Sequence, residues 1–126
     1  MAISTEQAVA GYFAAIRSGN PETFASCFTP DGVTHDPVGT PAHIGYDAIY
    51  AFYAGIAAAF QSISLTEDAV FIRANSAAVK WTGHAVSKSG KTVDFSGIDV
   101  IDCNHQGKIV LVRAFWDPTP VMAAAD

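Results

Sequence analysis

From Ile63 to Asp117 apolar side chains fall on alternate positions through runs near residues 63–73, 77–87, 91–102 and 108–117. Turn residues separate the runs: Asn75-Ser76, Ser89-Gly90 and Asn104-His105-Gln106-Gly107. A period of two with such short breaks describes strands joined as an antiparallel meander, and alternation means that one face of it is covered. The preceding residues supply the cover. Ser4 with Gln7 forms a capping box, and Val9, Tyr12, Phe13 and Ile16 recur at helical spacing as far as Ser18-Gly19. Asn20-Pro21 opens a short second helix running to about Phe28. "TPDG" reads as a turn and "VTHD" as a short strand. Tyr46 to about Phe60 reads as a third helix, with Ile49, Phe52, Tyr53 and Ile56 on one face. Helices followed by strands define an α+β fold, with three N-terminal helices packed on a curved, mostly antiparallel sheet that encloses a pocket. The closing "VMAAAD" reads as a loose tail.

The 126 residues form one domain, 1–126, and 50% are hydrophobic, enough for a sizeable core. A net charge of -5 without a Lys/Arg cluster argues against a nucleic-acid partner. No apolar run has membrane-spanning length, and "MAISTEQAVAGYF" lacks the cationic start of a signal peptide. Cys27 and Cys103 match no metal or redox spacing and read as reduced thiols, which together with the missing leader points to the cytoplasm. His35, His43, His84 and His105 show no ligand spacing, and no phosphate loop or nucleotide motif occurs. The expectation is a protein with neither metal nor cofactor.

Three polar residues fall where the pattern expects interior. In "KTVDFSGIDVID", Val93, Phe95, Gly97, Asp99 and Ile101 share the bulkier face of a strand. Asp99 on that face is either a buried carboxyl, costly when ionised, or a residue that a twist or bulge returns to water. Tyr12 on the helical stripe is either a core aromatic bonded to a backbone carbonyl or a hydroxyl kept for another purpose. Asp36, ahead of Pro37, is either a turn residue or a working carboxylate.

The segments "GYFAAIRSGN", "HDPVGT", "AIYAFYAG", "GIDVID" and "VRAFW" resemble the ketosteroid isomerases, within the NTF2-like (SnoaL-like) superfamily, from about Val9 to Trp116. The resemblance implies the NTF2-like cone, a general-base role for Asp36, and Tyr12 and a neutral Asp99 as donors to the substrate carbonyl oxygen. It implies a hydrogen bond from Tyr53 to the catalytic tyrosine, and a place for Trp116 beside the base and the substrate. Phe28 and Val112 fall where the family has supporting or pocket-lining side chains, a tyrosine in some members and often a methionine. His35, Gly97 and Asp117 replace an acidic residue, a proline and a small residue.

The implied chemistry moves a C=C bond of a 3-oxo steroid from the β,γ to the α,β position. A carboxylate carries the proton and two donors hold the dienolate oxygen. The expected partner is therefore a small hydrophobic, steroid-like ketone. Rival readings on the same scaffold are a polyketide cyclase, an epoxide hydrolase built on an Asp-Arg-Asp set with Arg113, and a non-catalytic binding module for a small hydrophobic ligand. Ile98 and Val100 on the outer sheet face, beside Val79, Trp81 or Val110, suggest an apolar patch and a homodimer, as the resemblance also does.

Overall fold

The computed structural model describes residues 3–125. Met1 and Ala2 of the N-terminal stretch, and Asp126 of the tail, lie outside them. Helix α1, Thr5–Ser18, begins on the expected capping box: the Ser4 hydroxyl accepts from the Gln7 amide at 3.1 Å and the Gln7 side chain accepts from the Ser4 amide at 2.9 Å. It ends at Gly19 in the left-handed conformation. Its stripe of Val9, Tyr12, Phe13 and Ile16 is buried, each apolar side chain contributing about 1.5–3 kcal/mol.

Helix α2, Pro21–Ala25, is capped by Asn20 and stops three residues before the expected Phe28, which instead opens strand β1, Phe28–His35. The "TPDG" turn is likewise absorbed into β1. Phe28 pairs with Ile109 and Val33 with Leu111, so five steps along β1 match two on its neighbour and the intervening residues bulge. Strand β2, His43–Ile44, is a short addition, and α3, Tyr46–Ala59, follows as expected.

The meander consists of β3 (Phe60–Arg73), β4 (Ser76–Ser87), β5 (Thr92–Cys103) and β6 (Ile109–Phe115). The strands join β1 and β2 in one curved, unclosed sheet of order β2-β1-β6-β5-β4-β3. All pairings are antiparallel except that of β1 with β6, which brings the chain segment before the meander alongside its last strand. Helices α1 to α3 cover the inner face, and the main core lies between them and the sheet.

The expected loose tail is a helix in the described residues, α4, Thr119–Ala124. Its alanines favour helix, the Asp117 carboxylate accepts from the Thr119 amide at 3.0 Å, and Val121 is buried against Phe60 and Ala85.

Candidate active site

Strand β5 keeps strict alternation where it matters. Asp99 pairs with Val79 on one side and Ala114 on the other, and it shares the inner face with Phe95 and Ile101 at 2% exposure. The alternative of a twist towards water is therefore excluded. One carboxyl oxygen, Oδ1, accepts from the Trp81 indole N–H at 2.9 Å. Burial, reinforced by the Asp36 charge and opposed by the Trp81 hydrogen bond, pushes the Asp99 pKa up to about 7.

Asp36 lies just past the end of β1, joined to Pro37 by a cis peptide bond, and its Oδ1 accepts from the Trp116 indole N–H at 2.7 Å. Burial raises its pKa to about 6 against the lowering effect of that hydrogen bond. Tyr12 comes from the buried stripe of α1. Burial, then Asp99, then Asp36 raise its pKa well above the ordinary tyrosine value, so the hydroxyl remains a donor at neutral pH. No hydrogen-bond partner for that hydroxyl occurs among the described residues.

All three side chains line one cavity of about 190 Å³ whose remaining walls are mainly apolar and carry no Lys or Arg. Both indoles line it too, and Gly97 makes room for them. A Cβ at Gly97 would stand 2.6 Å from the Trp81 ring and 2.8 Å from Trp116 Cβ. Gly97 thus allows the two hydrogen-bond donors to reach the two carboxyls.

Other expectations are corrected by the packing. The Tyr53 hydroxyl donates to the Ile16 carbonyl at 2.6 Å, not to Tyr12. Phe24 lies between the two tyrosines, with ring centroids 4.7 Å from Tyr53 and 5.5 Å from Tyr12. Tyr53 lines the cavity, whereas Phe28 packs behind Tyr12 and Val112 is sealed in the core, so neither of these two forms the wall. Trp81 and Val79 belong to the inner face and cannot contribute to an outer patch. His35 faces the outer side beside Arg113, and Arg113 is exposed there. Phe24, Trp81 and the α4 residues were not anticipated in the site. For Trp81 the signal was present: it alternates in phase with Ala77, Val79 and Ala85, while Lys80, Thr82 and His84 occupy the other face.

An α+β cone with one buried and one half-buried carboxyl and a free tyrosine hydroxyl in an apolar cavity defines a class of small-molecule pocket protein, and residues 9–112 match the SnoaL-like domain. The chain belongs to that family. It is 33% identical over 125 residues to the steroid Δ-isomerase of Nocardioides simplex, with 94% of each chain covered. The solved structure of SalBIII, an epoxide hydrolase/cyclase-like enzyme studied for pyran ring formation in polyether salinomycin, superposes with a TM-score of 0.82. That likeness, at 22% identity over 91% of this chain and 92% of the other, is one of fold.

Proposed function

We propose that this chain, acting as one domain over residues 1–126, is a steroid Δ5-isomerase-like enzyme. It would move the C=C bond of a 3-oxo steroid from the β,γ to the α,β position by intramolecular proton transfer. The observation that carries the reading is the convergence of Tyr12, Asp36 and Asp99 on one mainly apolar cavity. Asp36, with a pKa of about 6, is ionised at neutral pH. It takes a proton from the carbon between the carbonyl and the alkene, and the electron pair passes through the conjugated system to the carbonyl oxygen. Tyr12 and the protonated fraction of Asp99 donate to that dienolate oxygen, where low dielectric strengthens each hydrogen bond. Asp36 then returns the same proton to the γ carbon, so no cofactor is consumed. The Trp81 bond occupies Oδ1 of Asp99 and leaves Oδ2 to carry the proton towards substrate. Trp116 orients Asp36.

The kinship with a steroid Δ-isomerase supports this reading. A hydrolase of the Asp-Arg-Asp kind gains no support, since Arg113 is exposed on the outer sheet face. The proposed enzyme works in the cytoplasm as a homodimer. The deciding experiment offers purified protein a 3-oxo-Δ5 steroid and follows conjugated enone by ultraviolet absorbance. Enone formation that depends on Asp36 supports the reading. Tight binding of the steroid without enone formation leaves a non-catalytic pocket instead.

A further inference from the structure

The cavity has two unlike ends. Tyr12, Phe24, Tyr53 and Trp81 belong to the main core cluster. Phe60, Ala85 and Val121 form a second cluster, and Phe95 and Trp116 pack against both. The second cluster is where α4 docks, so α4 closes the end of the cavity away from Tyr12. Val121 is 3% exposed and Met122 is 67% exposed, yet both line the cavity. A side chain that lines a cavity while facing solvent stands at its rim.

Size adds a second constraint. A volume of about 190 Å³ falls below the roughly 300–1,000 Å³ of pockets that enclose drug-sized ligands. The cavity is thus small beside a four-ring ketone, and exposed Met122 marks where outer rings would emerge. Among the described residues α4 makes no hydrogen bond to another element: its amide bonds run to Asp117, Pro118 and Val121, and it is held through buried Val121 and Ala124.

We infer that Val121 and Met122 set the length of the ketone this site accepts, with the carbonyl ring and its neighbour enclosed and any further rings leaving past Met122. This rests on the isomerase reading for the ketone itself. Val121 is the inner stop and Met122 the rim. Val121 packs in the second cluster and not in the one that holds Tyr12, so changing either residue is expected to act on discrimination between long and short substrates.

The test uses full-length protein and two β,γ-unsaturated ketones, one bicyclic and one a 3-oxo-Δ5 steroid. Met122→Trp narrows the rim and, because the residue is exposed, leaves folding intact. It is expected to lower the steroid-to-bicyclic ratio of kcat/KM by about tenfold, mainly through the steroid's KM. Val121→Ala is expected to move the ratio the other way. A ratio unchanged in Met122→Trp overturns the inference. Fluorescence titration with 2-naphthol and with a four-ring phenol separates this from failure of the isomerase reading, because a phenol can sit at the Tyr12–Asp99 end without turnover. If neither ketone reacts but Met122→Trp weakens only the four-ring phenol, the isomerase reading fails and the length rule stands. Equal weakening of both phenols overturns the length rule.

Discussion

Asp36 and Asp99 each accept one indole N–H, and burial is the largest cause of both raised pKa values. The proposed roles require opposite protonation states, Asp36 charged and Asp99 neutral. With pKa values of about 6 and 7, kcat/KM should follow a narrow bell whose two limbs belong to the interacting pair. Asp99→Asn should remove the alkaline limb, and a wild-type profile flat from about pH 5 to 8 would contradict both assignments. Asp36→Asn keeps an acceptor for Trp116 but removes the base, so turnover should fall by roughly 10²–10⁴ while the circular dichroism spectrum is unchanged. A folded Asp36→Asn protein with near-normal turnover would end the base assignment. Stability carries the same signature. A carboxyl whose pKa is raised on folding binds more protons folded than unfolded between the two values, so stability falls as pH rises through that window. For Asp99 the window runs from the unfolded value near 4 to about 7 and the total loss is about 4 kcal/mol. Denaturant melts of Asp99→Asn should therefore decline less across that window than the wild type, and parallel curves would mean that Asp99 is not titrating there.

At the scale of elements, β5 brings a carboxyl and a gap together: Asp99 is buried between its neighbours, and two residues earlier Gly97 leaves space for two indoles. Gly97→Ala should cost about 1–3 kcal/mol by overpacking and should disturb both carboxyls at once. A displaced pH optimum together with reduced activity would show this, whereas unaltered kinetics would mean that the indoles shift freely. The parity of β5 and the stripe of α1 could be read in the sequence because alternation and helical spacing are local properties. The turn signals of the meander were equally local, and Gly90 and Gly107 do adopt positive φ there. Less legible were features decided by distant partners. "TPDG" has turn chemistry, but pairing with β6 draws it into a bulged strand. The alanines of "VMAAAD" favour helix but the segment is too short to hold one alone, and docking of Val121 orders it. The resemblance gives the Tyr53 hydroxyl the catalytic tyrosine as partner, whereas Phe24 from α2 packs against both tyrosine rings and the Tyr53 hydroxyl donates to Ile16 of α1.

Across the whole molecule the outer sheet face remains open. Phe71 pairs with Ala78, Ala78 with Val100, and Ile98 with Phe115, giving apolar outer positions on β3 to β6. Phe71, Ile98 and Phe115 are 71%, 45% and 44% exposed. The proposed homodimer covers this face. Sedimentation at micromolar concentration should find a two-chain species, and Ile98→Glu with Phe115→Glu should convert it to monomer; a wild-type monomer would refute the dimer. The sheet's single parallel pairing has a different consequence, which concerns time. Trp81 and Asp99 are 18 residues apart and meet within the meander, whereas Trp116 and Asp36 are 80 apart and meet only when β1 docks on β6. Closing the longer loop costs more chain entropy, and non-local pairings slow folding. The Trp81–Asp99 pair can therefore form before the Trp116–Asp36 pair that holds the base, so the two carboxyls of the proposed site are set at different stages of folding.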